Sequence, residues 1–290
     1  MAINVIVGYD GSPIAAAAID AGAALFPQAH VWITHLWTPP FASESLRRRL
    51  WTGTAGLNSF IEAIEREGEA EARRLADRGV RLARTAGWNA EPLVRRAYGG
   101  EGLVFAQLAQ ELDADLVLLG SRGLGGAHAV LGSVSDMVVH YSPRPVLIVP
   151  DPLLTAEQAA LADGPILIGW DGSPGAEAAC TASARLFPGR NLIVASVDGA
   201  DIASPADSPP PAEGLTVERV DLASGYGPPG RSVAEALDGY GHSRGAAVLA
   251  VGSRGRSAVR EILTGSVAMA TLHRAHRPVM VVPQPRERSA

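Results

Sequence analysis

LVLLGSRGLGGAHAVLGS (residues 116–133) and VLAVGSRGRSAVREILTGS (residues 248–266) are two versions of one phrase. Each runs from a short apolar segment into Gly-Ser-Arg-Gly and ends on Gly-Ser, giving Gly120, Gly123 and Gly132-Ser133 in one copy and Gly252, Gly255 and Gly265-Ser266 in the other. Glycines directly after a buried strand let backbone N–H groups approach an anion with no side chain in the way. A helix starting at the final Gly-Ser would add its free amides and the positive end of its dipole. One glycine pair alone would read as an ordinary strand-to-helix turn. Two copies, each completed by Gly-Ser, point to a phosphate ligand.

The repetition extends beyond the phrase. Val5–Pro27 aligns with Ile166–Pro188 at an offset of 161, matching Gly8 to Gly169, Asp10-Gly-Ser-Pro13 to Asp171-Gly-Ser-Pro174 and Leu25-Phe-Pro27 to Leu186-Phe-Pro188. The glycine pairs align at an offset of 132, and Arg144-Pro-Val146 aligns with Arg277-Pro-Val279 at 133. A period near half of a 290-residue chain means two homologous domains rather than a solenoid. The expected division is a domain at 1–150, a linker at 151–164 that is partly helical around Thr155, and a domain at 165–290.

The drop in offset locates a net loss of 29 residues in the second half, between its second strand and its glycine phrase. In the first half that interval holds a charged, Ala-rich stretch, about 56–86, whose Ile61, Ile64, Leu75 and Leu82 predict a long amphipathic helix. In the second half it holds Gly199–Gly214 with Pro205 and Pro209-Pro-Pro211, which cannot sustain a helix. The second domain is therefore expected to lack one helix, leaving a surface for the first domain or a second chain to cover.

Short apolar runs alternate with Ala-rich helical stretches throughout. Strands are expected at about Val5–Gly8, Val31–Leu36, Glu91–Arg95, Leu116–Leu119 and Val146–Val149, then Ile166–Gly169, Leu192–Val197, Thr216–Val220, Val248–Val251 and Val279–Val282. Continuous apolar strands separated by helices specify an α/β fold, a parallel sheet covered on both faces and doubly wound. Ligands of such sheets sit beyond the carboxyl ends of the strands. That is where Asp10, Asp171 and both glycine phrases fall.

Composition removes several classes. A net charge of −5 and a pI near 5.8 give no support to nucleic-acid binding; the cluster Arg47-Arg-Arg49 reads as solvated surface. The single Cys180 rules out an internal disulfide and a cysteine zinc site, and reads as a small buried helix residue. No apolar run is long enough to span a membrane, and the N-terminus carries no secretion pattern, so a cytoplasmic protein is expected. His35, His128, His140, His273 and His276 show no metal-ligand spacing. All 25 basic residues are arginines. Without lysine the chain cannot complete a Walker-type phosphate loop or a kinase site, or form a Schiff base.

The Gly-Tyr/Trp-Asp-Gly-Ser-Pro turn after strand one, in register with G-x2-G-x9-G-[S/T], resembles the universal stress proteins in their tandem two-domain form, found in actinobacteria. The copy from Gly252 to Gly265-Ser266 matches the pattern fully. The copy from Gly120 has eight residues, Leu124–Leu131, where the pattern has nine. The resemblance implies five strands per domain in the order 3-2-1-4-5, an adenine-nucleotide alpha-hydrolase-like arrangement, and ATP held between strands one and four. It places Gly8, Tyr9, Asp10, Gly169, Trp170 and Asp171 by the adenosine, Leu36 and Val197 by the base, and Leu119 and Val251 against base or ribose. Gly120, Gly123, Gly132, Ser133 and Val134 would hold phosphates in the first domain, as would Gly252, Gly255, Gly265, Ser266 and Val267 in the second. It also implies antiparallel pairing of the two fifth strands within the chain.

Asp10 and Asp171 carry two readings of equal standing. One is an N-cap to the following Pro-led helix; the other is a contact to ribose hydroxyls or to Mg²⁺ through water. Arg122 and Arg254 read first as exposed scaffold, with a phosphate contact as the lesser reading. Both sites are expected to bind ATP, unequally, the second closer to the family pattern. The leading function is nucleotide-dependent regulation of partners or assembly, with a homodimer as one arrangement, and no catalytic set is visible. A slow ATPase or adenylyl transferase, and a structural protein with degenerate sites, are the alternatives.

Overall fold

A computed structural model describes residues 3–38, 57–121, 131–198, 217–255 and 265–284. The first half runs β1 (Asn4–Gly8), α1 (Pro13–Leu25), β2 (His30–Trp37), α2 (Leu57–Thr85), β3 (Asn89–Arg96), α3 (Glu101–Glu111), β4 (Leu116–Gly120), α4 (Ser133–Tyr141) and β5 (Val146–Val149). A short α5 (Thr155–Ala160) follows. The second half runs β6 (Ile166–Gly169), α6 (Pro174–Leu186), β7 (Leu192–Val197), β8 (Val217–Leu222), α7 (Pro229–Ser243), β9 (Val248–Gly252), α8 (Ser266–Arg274) and β10 (Val279–Val282). Every expected strand is present to within a residue or two. The expected irregular loop Gly199–Gly214 lies outside the described residues.

The ten strands form one sheet in the order β3-β2-β1-β4-β5-β10-β9-β6-β7-β8. Each half has the order 3-2-1-4-5 with parallel neighbours, and the halves join where β10 pairs antiparallel with β5, Met280 opposite Leu147. That pairing satisfies the backbone of two strands that would otherwise be sheet edges. Alternate strand residues feed opposite faces. Val5, Val7, Leu116, Leu118, Ile166, Ile168, Val248 and Ala250 pack on the α1 and α6 side, in a core that crosses from one half to the other. Ile6, Val117, Leu119, Ile148, Val251 and Val281 pack on the opposite face with α3, α4 and α8. Across the middle, the Phe26 and Phe187 rings stand 5.0 Å apart, and Arg185 pairs with Asp115. Cys180, on α6, is buried, and burial pushes its thiol up to about 12.

The long helix α2 forms where charge and periodicity placed it; of its four expected apolar residues Ile64 is buried and Leu75 packs against the core. Ile61 and Leu82 are exposed. The stripe that meets the sheet is Ala72, Ala76, Val80 and Ala83, with Gly79 against Ile33 and Tyr9. A helix lying this close on a strand selects small residues, and the larger apolar side chains are displaced to its margins.

The repeated Arg-Pro-Val has two fates. Arg144 pairs with Asp113 at the surface. Arg277 is 1 % exposed; its Nη1 donates to Ala246 O at 2.8 Å and its Nε stands 3.3 Å from Asp238 Oδ1. Glu157 of α5, also buried, lies 3.6 Å from Arg277 and 2.9 Å from His242 Nδ1. Burial alone would raise the Glu157 carboxyl, but the His242 hydrogen bond and the Arg277 charge outweigh it and hold the group below the usual carboxylate range.

A carboxyl depressed in the fold stabilises above its unfolded value, about 4.3, and that contribution is lost as pH falls through the folded value. Glu157→Gln is expected to cost about 1–3 kcal/mol at neutral pH. In denaturant titrations the gap to the parent should narrow below about pH 4.3. Equal stability at pH 7 would remove the stabilising role given to the buried Glu157 contacts.

Candidate functional site

Each half builds its site from the end of its first strand. Gly8 and Gly169 are the last residues of β1 and β6, and a side chain on Gly8 would collide with Leu119 and Phe105. Leu237 and Val251 stand in the same places around Gly169. The chain then turns back. Asp10 Oδ1 accepts from Ser12 N at 2.9 Å, and Asp171 Oδ1 accepts from Ser173 N at 3.0 Å. The aspartates are therefore not the N-caps. Ser12 and Ser173 are, accepting from Ala15 N at 3.1 Å and from Ala176 N at 3.2 Å. Pro13 and Pro174 occupy the first helical positions, so the cap falls on the residue before them. The aspartate closes the preceding turn instead.

The glycine phrases meet that turn from the other side. A side chain on Gly252 would fall on the backbone of Gly175, and one on Gly120 would stand 2.7 Å from Ile14 Cγ2 and 3.0 Å from Ile14 O. These first glycines are thus demanded by the close passage of α6 and α1. Gly255 is held against the aspartate: a Cβ there would lie 2.5 Å from Asp171 Oδ2. The Gly265 amide donates to Ser253 O at 2.6 Å. Helices α4 and α8 then begin at Ser133 and Ser266, as the sequence suggested. Their N-cap residues are Gly132 and Gly265, and neither helix has a side-chain cap. Their first-turn amides consequently keep donor capacity that α1 and α6 have already spent on serine.

The first cleft, about 460 Å³, is bordered by Gly8, Tyr9, Asp10, Leu36, Leu119, Gly120, Gly132, Ser133 and Val134. The second, about 230 Å³, is bordered by Gly169, Trp170, Asp171, Val197, Val251, Gly252, Gly255, Gly265, Ser266 and Val267. Every described residue expected at a site is thus brought to one of two clefts, with Tyr9 and Trp170 contributing rings that are largely buried in the core. Gly123, Arg122, His128 and the unequal spacers lie outside the described residues.

Other residues at the clefts were not anticipated. Glu101 and Phe105 of α3 border the first, and Val233 and Leu237 of α7 the second. Glycine spacing carries no trace of them, because they come from the third crossover; the apolar period of that helix was the available signal. His35 also borders the first cleft, its Nδ1 2.9 Å from Tyr9 O. A carbonyl only accepts, so Nδ1 carries the proton. Arg254 departs from the expected exposed scaffold. It is half-buried on the wall of the second cleft, and its enclosed Nε has no hydrogen-bond partner. Ser121, 3 % exposed on the wall of the first cleft, likewise has a hydroxyl without a partner. Its counterpart Ser253 accepts from Gln284 N at 3.3 Å.

Uncapped helix starts and unpartnered donors fit a ligand rich in acceptor oxygens. Apolar walls at Leu36, Leu119, Val197 and Val251 fit a flat, weakly polar group beside it. Among the described residues no group of three or more side chains could hold a metal ion, and no helix is long and apolar enough to cross a membrane.

The universal stress protein family model matches residues 1–150 and 164–283. The chain belongs to the universal stress protein family. A universal stress protein of Mycolicibacterium smegmatis is 29 % identical, with 96 % of each chain covered. One of Mycobacterium tuberculosis is 28 % identical over 74 % of this chain and 78 % of its own length. Among solved structures, a universal stress protein of Archaeoglobus fulgidus has the same fold, with a TM-score of 0.69, 19 % identity and 97 % and 98 % of the two chains covered.

The two kinds of glycine should separate on substitution. Gly252→Ala, with no room against Gly175, is expected to cost about 1–3 kcal/mol. Gly265→Ser has open space, with nothing nearer than 3.5 Å to an added Cβ, and an extended backbone suited to a serine cap. It should stay within about 0.5 kcal/mol of the parent. Chemical denaturation measures both; equal costs would contradict the close-approach account.

Proposed function

We propose that both clefts are adenine-nucleotide sites and that the chain is an ATP-binding regulatory protein of the stress response. The observation that carries this reading is the repeated meeting, in one cleft, of an uncapped helix start with a strand-one aspartate turn and two aliphatic walls. Phosphate oxygens would accept from the first-turn amides and serines at Gly132-Ser133-Val134 and Gly265-Ser266-Val267, and from the backbone of Gly120, Gly123, Gly252 and Gly255. The ribose and base would lie along Gly8–Asp10 and Gly169–Asp171, between Leu36 and Leu119 in one site and Val197 and Val251 in the other. Mg²⁺, when bound with ATP, would neutralise phosphate charge, with Asp10 and Asp171 placed to reach it through water.

The clefts hold nucleotide rather than turn it over. Fast phosphoryl transfer needs groups that act on the transition state beyond a ground-state cradle. The chain has no lysine to supply one. The same reading divides the chain into domains at 1–150 and 165–290 around the linker 151–164, and places the protein in the cytoplasm as a regulator of partners or of its own assembly, dimerisation included.

Native mass spectrometry of freshly purified protein should find intact ATP, up to two per chain. ADP or AMP would favour the slow-ATPase reading, and no binding at millimolar ATP would remove the proposal. Gly265→Asp provides a local test. Aspartate is a good N-cap, so the melting temperature should hold or rise slightly, while its charge sits at the phosphate end of the second cleft. Calorimetric stoichiometry should fall from two to one; a value still at two would remove α8 from the site.

A further inference from the structure

The clefts differ in the helix that walls their phosphate ends. Phe105 and Leu237 are equivalent, since each approaches the last glycine of its first strand, Gly8 or Gly169. One turn earlier stand Glu101 in the first cleft and Val233 in the second, and both border their clefts. Helix α3 begins at Glu101, whereas α7 begins at Pro229, four residues before Val233. The additional turn of α7 lies over the start of α8: a Cβ on Gly230 would come within 2.9 Å of Ser266 Oγ. The second phosphate end is thereby roofed, bears the half-buried Arg254 with its unpartnered Nε, and has a valine where the first has a carboxylate. The first is wider, and its lining includes both Glu101 and the unpartnered Ser121 hydroxyl.

Resting on the nucleotide reading above, we propose that the two clefts sort nucleotides by phosphate charge. The second prefers the more highly phosphorylated form, and Glu101 makes the first discriminate against it. A carboxylate sharing a cleft with an uncapped helix start opposes each added phosphate charge, and its effect grows with the charge of the ligand. A monophosphate, with less charge to oppose, is affected least. Arg254 acts in the reverse direction, because an enclosed guanidinium gains most from a multiply charged anion.

The test uses the full chain carrying Gly265→Asp, so that only the first cleft binds, titrated with ATP and with AMP by calorimetry in the absence of Mg²⁺. Adding Glu101→Gln, a neutral substitution of equal size, is expected to tighten ATP about tenfold and AMP about threefold or less. The reciprocal variant, Val233→Glu in a chain whose first cleft is blocked by Ser133→Asp, should weaken ATP about tenfold and AMP by clearly less. If nucleotide binds but Glu101→Gln changes ATP and AMP by the same factor, or changes neither, charge sorting is wrong and the nucleotide reading stands. If neither nucleotide binds to the parent chain, the nucleotide reading fails and charge sorting fails with it.

Discussion

A side chain on Gly252 would occupy the backbone of Gly175, and from that lack of room the site follows. In the second half the helix after strand one settles against the chain leaving strand four with both residues bare, since a side chain on Gly175 would in turn fall on Arg254 O. Once it has, the aspartate turn before the helix and the glycine loop after the strand are forced together, so that Gly255 lies against Asp171. The first half meets the same constraint with one glycine, Gly120 passing over the backbone of Ile14. The end of the cleft at which the uncapped helix starts is thus a by-product of packing. The chain is led past the sheet by the shortest route, and the next helix has to start where its amides face the gap.

The other organising contact is the β5–β10 pair. Two parallel half-sheets, each ending on a four-residue apolar strand, close on each other by antiparallel hydrogen bonds. The core on the α1 and α6 side runs through this junction, and Phe26 and Phe187, which occupy equivalent positions, touch across it. One departure from the pseudo-symmetry lies where the linker helix falls. Arg144 stays at the surface, while Arg277 is covered by α5 and acquires Glu157 as a buried counter-charge. A guanidinium enclosed in that way needs its hydrogen bonds satisfied, and Ala246 and Asp238 supply them, while Glu157 at 3.6 Å supplies the opposing charge.

Fold class, strand positions and the meeting of both motifs were legible because each depends on local patterns: apolar runs of strand length, glycine after strand, Pro after cap. The serine caps were less visible than they should have been. Asp-Gly-Ser-Pro contains two capping residues, and only the position of the proline tells which one caps. The face of α2 was legible in part: Ile64 and Leu75 turn inward as read, but a periodicity count weights large residues and passes over Ala72, Ala76 and Ala83. Glu101, Phe105, Val233 and Leu237 could not be read at all from the repeated phrase. They lie at the same offset of 132 as the glycine pairs, but their residue types differ between the copies, so no repeated motif marks them.

The additional turn of α7 bears on why the two halves share one chain. In a symmetric dimer of single-domain chains, a substitution in one cleft is necessarily made in the other. Covalent tandem repetition removes the tie while keeping the interface, because β5 and β10 pair whether or not the clefts still match. The constrained positions have accordingly stayed alike, as in Gly8 and Gly169 or Ser12 and Ser173, where packing or capping leaves no alternative. The walls, where a glutamate, a valine, an arginine or a further helical turn costs the core little, have diverged. Two clefts with unlike walls thus stand on one common frame.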